Sequence, residues 1–473
     1  MTFETVKEML DAVKPVATVL SDRVSVTDPG GVGGALVDRL AWTAVFGQGA
    51  ELRGVARWIV RSLAAARGIR PASIHELYRA MGAGQAGGFT VPAINVRAMT
   101  YDTARAVMRA AKSLNAGAFI LEIARSEIGY TAQRPSEYVA VMLAAALREG
   151  FAGPLFIQGD HVQVSATKFD GPERDEELGL LRALIEEEIA AGFYNIDIDT
   201  STLVDLSKPT RAEQQDVNVT LAAGFAAFIR AHEPHGVTIS IGGEIGEVGG
   251  RNSDVHELHA YMDGFNAKLQ EHGAALEGLS KISVQTGTAH GGFVNGDGTV
   301  RTDVTIDLKT LEELSRVARV DYGLAGAVQH GASTLPPEAF DAFPRVGACE
   351  IHLATDFMNM VYEHPLFPGD LKNDMYAWVR DHAQDERKPK DTEEQFIYKA
   401  RKKAIGAFKH RMWSLDAGVR RAIGRSLEER VTFLMEQLQI DETAAVVSRF
   451  IRAPHVPIDR DAEMLAAGGT ITT

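Results

Sequence analysis

Three regimes of hydrophobic patterning follow one another along the chain. Over residues 1–87 apolar positions recur at three- and four-residue spacing, as in VKEMLDAVKPVATVL and RGVARWIVRSLAAARG, with the turn TDPGGVGGA between them. That spacing predicts helices, and the glycines of GAGQAGG at 82–88 interrupt them. Short apolar runs then alternate with amphipathic helical stretches. The runs are TVPAINV, GAFILEIA, PLFIQGDH, FYNIDIDT, VTISIGGEIG, KISVQTGTAH, GLAGAVQHG and ACEIHLATDF; the stretches between them include YDTARAVMRAAKSLN, SEYVAVMLAAALREG and EELGLLRALIEEEIAAG. Strand–helix alternation predicts a parallel sheet, and eight such strands predict a closed barrel. After residue 366 charged amphipathic helices return, as in EEQFIYKARKKAIGAFKHRMW and SLEERVTFLMEQLQI, joined to the barrel by the solvated connector DERKPKDTEEQF. The expected architecture is a (β/α)8 TIM barrel over 88–365 between helical extensions at 1–87 and 366–473. The apolar stripes of the extensions need cover. We expect it from the barrel's outer ring and from other subunits of a homodimer or homotetramer, with the C-terminal helices at the interface.

The polar residues on these strands carry the chemistry. Barrel enzymes build their sites at the C-terminal ends of the strands. His161, His290 and His330 end the third, sixth and seventh runs, each beside Gly or Asp. Three imidazoles converging on one mouth form the ligand set of a catalytic divalent metal with an open position. Asp160 precedes His161, and Glu244 sits between glycines in SIGGEIGEVGG. Adjacent strand residues point to opposite faces, so Asp160 and His161 reach the mouth together only where the chain turns. Asp197 and Asp199 share one face of NIDID; pairing to a nearby Lys or Arg and a catalytic role are equally open for them. No lysine stands out as a Schiff-base candidate. The turns at His290-Gly291-Gly292 and His330-Gly331-Ala332-Ser333 offer backbone N–H groups and a hydroxyl for phosphate, with the Thr355-Asp356 pair on the next strand.

Composition narrows the class. Of 473 residues, 49 are Lys or Arg and 63 are Asp or Glu, a formal charge of −14. An acidic chain lacks the basic face of a nucleic-acid binder and does not favour an anionic membrane surface. Cys349 is the only cysteine and has no intramolecular partner, which fits a reducing, cytoplasmic compartment. No run approaches the roughly 20 apolar residues of a membrane span.

From about Thr90 to Pro368 the ordered motifs resemble those of the class II, metal-dependent ketose-bisphosphate aldolases, among which the fructose-bisphosphate aldolases are best known. GFTVPAINV resembles the family's first strand with its Asn at Asn95. FIQGDHVQ resembles the Asp-His motif, and FYNIDIDTS the strand-four motif with its Asp at Asp199. GGEIGEVGG, QTGTAHGGF, VQHGAST and EIHLATDF follow in the family's order. The resemblance implies that His161, His290 and His330 bind zinc or another divalent metal, with Glu244 as an alternate ligand. It implies that Asp160 handles the hydroxyl proton at the cleaved C3–C4 bond and that Asp199 supports the metal ligands. Asn95, Gly291, Gly331, Ser333, Thr355 and Asp356 would contact the sugar phosphate. Some members also use a monovalent cation near the glycine-rich loops. Cleavage leaves an enediolate, which a Lewis-acid metal stabilises without a Schiff base.

The departures bear on the substrate. The acid expected after the strand-five glycines is absent, Asn252 standing there, and Asp254, Glu247 and Glu257 are its candidate replacements. Val294, Ala332 and His352 stand where the family often has Lys, Gly and Asn. The resemblance thus implies cleavage of fructose 1,6-bisphosphate, or of another ketose phosphate such as tagatose 1,6-bisphosphate. A non-catalytic sugar-phosphate-binding partner and a barrel metallohydrolase are the contrasting readings.

Overall fold

The structure, a computed structural model, describes residues 1–246, 251–287, 295–299 and 306–469, the side chain of Thr334 excepted. Eight parallel strands form the sheet: β1 (Val91–Asn95), β2 (Ile120–Ala124), β3 (Pro154–Gln163), β4 (Asn195–Asp199), β5 (Ser240–Glu244), β6 (Lys281–Val284), β7 (Ala327–Gln329) and β8 (Glu350–Leu353). β8 closes the ring on β1, with Glu350 opposite Val91 and Leu353 opposite Ile94. The expected (β/α)8 barrel is the fold. Seven of the strands lie within the apolar runs read from the sequence, and β3 runs two residues past its own, to Gln163. Among the described residues no helix is long and apolar enough to cross a membrane.

The strands alternate in a way that is unusual for a barrel. In β4, Ile196 and Ile198 are buried on the helix side, while Asn195, Asp197 and Asp199 face the interior. Barrel interiors are normally filled by branched apolar side chains; here the axis carries charge. The Lys281 Nζ lies 2.5 Å from Glu350, 3.0 Å from Asp197 and 2.8 Å from the Gln158 carbonyl. Gln158 in turn donates to Glu122 and Glu350 at 3.1 Å. Burial alone would raise the Glu350 carboxyl, but Lys281 and His352 outweigh it and hold it below the usual range. Gly242 makes room for this column: a Cβ there would lie 2.3 Å from an Asp197 oxygen and 2.8 Å from Lys281 Cε. Lys281 is thus the buried counter-ion of two carboxylates. Asp197 pairs with that lysine.

The N-terminal end of the barrel is closed by part of the first extension. A short strand, Arg70–Ala72, pairs beside β3. The helix His75–Gly82 follows, and its Tyr78 hydroxyl donates to Glu350. Asn195 accepts from the Ile74 N–H and donates to the Ala72 carbonyl. A second correction lies upstream. VKEMLDAVKPVATVL is a helix only over Val6–Val13, and Ala17–Val19 pairs antiparallel with Val24–Val26. Pro15 has no N–H with which to continue the helix, and β-branched residues follow it. Three longer helices of the extensions pack on the barrel's own outer helices: Gly34–Phe46 and Ala50–Ala66 against Pro135–Glu149, and Ala417–Gln437 along Thr100–Ser113. Arg61 and Glu463, 2.6 Å apart and buried, tie the two extensions together.

Behind β3 the fully buried Glu188 presses its carboxylate against Gly159, and neither of its oxygens is hydrogen-bonded. Burial pushes this carboxyl up to about 8, Arg134 offsetting only part. A carboxyl that keeps its proton to that pH when folded, but releases it near 4.5 when unfolded, costs stability as pH rises between those values. Glu188→Gln cannot ionise. It is expected to raise the denaturation midpoint at pH 8 and leave it unchanged near pH 4. Equal effects at both pH values would contradict this assignment.

Candidate active site

The site begins with a fault in the pleat of β3. Its pairing to β4 steps from Gly159 opposite Ile196 to Val162 opposite Ile198, three residues against two. This is a β-bulge, and His161 within it takes φ 41, in the left-handed region. A regular strand would send Asp160 and His161 to opposite faces; the bulge turns both to the mouth. A non-glycine residue persists in that conformation where its surroundings hold it. Here the holding partners are Asp199, 2.8 Å from His161 Nδ1, and Glu244, 3.2 Å from the same atom.

These contacts set the tautomer. A carboxylate only accepts, so the His161 proton sits on Nδ1 and Nε2 carries the lone pair. On β7's end His330 places Nε2 2.9 Å from Ser283 Oγ. With Nε2–H donating to Ser283, His330 Nδ1 is also a lone pair, and it faces His161 Nε2 at 3.1 Å. An Asp160 oxygen belongs to the same group, its ligating atoms within 4.8 Å of one another. Two imidazole lone pairs and a carboxylate aimed at one point, each imidazole braced from behind, is the donor set of a divalent metal. These residues therefore fit the ion that the resemblance implies.

Glu244 stands on the other side of the His161 ring, grouped with Asp199 rather than with Asp160 and His330. Burial first, then the Asp199 charge, push its carboxyl up to about 8 against the pull of His161, and its Oε1 has no hydrogen-bond partner. Burial would raise Asp199, but its hydrogen bonds from His161, Ser201 and Gln163 hold it low. His290, Gly291 and Glu247 lie outside the described residues.

A cavity of about 490 Å³ opens over the cluster, and Gly331, Ser333 and Thr355 line it with Asp160, His161 and His330. Gly331 turns there at φ 68, a conformation open to glycine at no steric cost. Asn95 and Asp356 are not brought to this cavity. Asn95 donates to Glu127 at 2.5 Å, and Asp356 pairs with Arg430 at 2.7 Å and lines a separate cleft. Nor is a loop acid supplied by the described candidates. Asp254 caps the helix Val255–His272 and pairs with Arg211; Glu257 pairs with Arg251 at 2.5 Å.

The cavity also has walls that sequence reasoning missed. Glu122 and His352 form part of the inner lining, and Arg97, Lys388, Lys399 and Lys402 supply cationic lining. Three of these cations come from the C-terminal extension, and Lys388 lies in the segment read as a solvated connector. Its neighbours fold as Gln384–Glu386 and Glu393–Ala400, which carries it onto the mouth. Burial lowers the Lys402 ammonium and the Arg97 charge lowers it further. Arg97 is itself buried, held by Glu127 at 3.1 Å, with Nη2 lacking any partner.

The model of the fructose-bisphosphate aldolase class-II family matches residues 75–416. Among solved structures, a probable tagatose 6 phosphate kinase from Sinorhizobium meliloti 1021 superposes with TM-score 0.52 at 18% identity, covering 80% of this chain and 97% of that one. A fructose-bisphosphate aldolase from Campylobacter jejuni gives TM-score 0.46 at 16% identity, covering 79% and 97%. A putative fructose-1,6-biphosphate aldolase from Coccidioides immitis gives 0.43 at 15%, also covering 79% and 97%. At such identities the first of these likenesses speaks to the barrel alone, and the family match, spanning most of the chain, is what assigns kinship. The chain belongs to the class-II fructose-bisphosphate aldolase family.

Proposed function

We propose that the chain is a metal-dependent aldolase that reversibly cleaves a ketose bisphosphate between C3 and C4, with fructose 1,6-bisphosphate the first candidate. The products would be dihydroxyacetone phosphate and glyceraldehyde 3-phosphate. The observation that carries this reading is the convergence of His161 Nε2, His330 Nδ1 and Asp160 at one point of the cavity. His161, His330 and His290 would hold zinc or another divalent ion, with Glu244 as an alternate ligand. When bound, such an ion supplies Lewis-acid stabilisation for the charge that develops on the ketone fragment. Asp160 accepts the C4 hydroxyl proton in cleavage and returns it in condensation. Gly331, Ser333 and Thr355 receive one phosphate. Arg97, Lys388, Lys399 and Lys402 offer a second anion a place, which favours a bisphosphate over a monophosphate.

Tagatose 1,6-bisphosphate, the C4 epimer, is the alternative substrate. A second reading, a non-catalytic sugar-phosphate-binding subunit, draws on Asp254 and Glu257 being committed to ion pairs. The test is a direct assay of triose products from fructose and tagatose mono- and bisphosphates with metal-loaded protein. Turnover is expected to stop on chelation and to fall about 10²–10⁴-fold in Asp160→Asn. Binding of metal and ketose phosphate without turnover would favour the second reading. Turnover untouched by chelation would overturn the first.

A further inference from the structure

Beside the proposed metal point the cavity holds a second convergence of ligating atoms. His352, on β8, stands where the family resemblance expects an asparagine. Its Nε2 lies 2.7 Å from Glu350 Oε1, while the other Glu350 oxygen is engaged by the Tyr78 hydroxyl. Glu350 is thus anchored from below, with its Oε1 standing beside His352 Nε2. A carboxylate behind an imidazole is the support that metal-ligating histidines receive. The opposite nitrogen, Nδ1, is left facing Glu122 Oε2 at 3.0 Å and Asp160 Oδ1 at 3.2 Å. An imidazole nitrogen and two carboxylate oxygens thus present three ligating atoms within 4.8 Å of one another.

Two further observations point the same way. Glu122 is fully buried and lines the cavity, yet its Oε1 has no hydrogen-bond partner, and neither His352 nitrogen makes a hydrogen bond of good geometry. A buried acceptor left in that state is costly without a ligand to meet it. The His352 and His330 rings lie 4.0 Å apart between centroids, tilted by 31°, so the two clusters adjoin. Asp160 belongs to both.

We infer that Glu122, Asp160 and His352 form a second divalent-cation site beside the first, with the Asp160 carboxylate shared between them. Two carboxylates and one imidazole make a donor set suited to Mn²⁺, Fe²⁺ or Zn²⁺. Paired metals that share a carboxylate sit about 3.5–4 Å apart and clamp two oxygens of one substrate. The ligands come from β2, β3 and β8. The site rests on the proposed metal dependence only for its neighbour.

The test is Mn²⁺ stoichiometry of the full chain by elemental analysis and native mass spectrometry, with electron paramagnetic resonance to detect spin coupling. Wild type is expected to hold two Mn²⁺ per chain with a coupled signal. His352→Asn and Glu122→Gln, each checked for native circular dichroism, are expected to hold one and to show an uncoupled signal. His161→Ala is expected to lose the other ion. One Mn²⁺ in wild type, lost in His161→Ala and kept in His352→Asn, would overturn the inference and leave the aldolase reading standing. Two ions untouched by both His352→Asn and Glu122→Gln would also overturn it. No bound metal in wild type would sink both readings together.

Discussion

His161→Ala is expected to lose the metal and to cut retro-aldol turnover by about 10³-fold or more, ~4 kcal/mol of transition-state stabilisation. One side chain does two things at once. Its Nε2 faces the proposed metal point, 3.1 Å from His330 Nδ1. Its Nδ1–H separates the Asp199 and Glu244 carboxylates, whose charges raise one another's cost. Removing the ring therefore deletes a ligand and leaves two buried carboxylates face to face. Metal content and turnover should fall together, while far-ultraviolet circular dichroism stays native. Full activity in His161→Ala would remove this residue from the site.

Lys281→Met is expected to destabilise the fold by about 3–5 kcal/mol, the usual cost of breaking a buried ion pair from one side. The lysine is 1% exposed, and its ammonium lies between the Glu350 and Asp197 carboxylates, 2.5 Å and 3.0 Å away. Methionine fills similar volume but leaves those carboxylates buried without it. The effect should appear as a lower denaturant midpoint at unchanged slope. Lys281→Met combined with Glu350→Gln should recover part of the loss, because one of the orphaned charges is then gone. A single variant as stable as wild type would mean that the carboxylates simply take up protons and that the pair contributes nothing net.

The barrel was legible because strand–helix alternation is a long-range, repeated signal that eight separate runs carried independently. The placement of His161 and His330 at strand ends was legible for a related reason: a polar residue closing an apolar run is conspicuous. The interior column was visible only in part. NIDID and EIHL alternate strictly, and such alternation normally reads as one wet face, while ILEIA carries a single Glu among apolar residues. Here both faces are buried, and Glu122, Lys281, Glu350 and His352 neutralise one another across strands far apart in sequence. That pairing is a property of closure, which no local window contains. The same holds for the bulge. Nothing in IQGDHVQ marks an extra residue; only the β4 register reveals why Asp160 and His161 can act together. Lys388 and Lys402 were hidden by composition, since a charge-rich segment looks solvated until its helices are seen to fold back over the mouth.

The helix His75–Gly82, which closes the N-terminal end, acts as an electrical insulator. Coulomb interactions weaken in proportion to the local dielectric constant. The charges from Glu350 through Lys281 and Asp197 to His352 stay strongly coupled only while water is kept from the barrel floor. Tyr78, completely buried beneath Glu350, is the seal. A segment that sequence placed in a peripheral extension thus sets the medium in which the mouth, at the far end of the strands, operates.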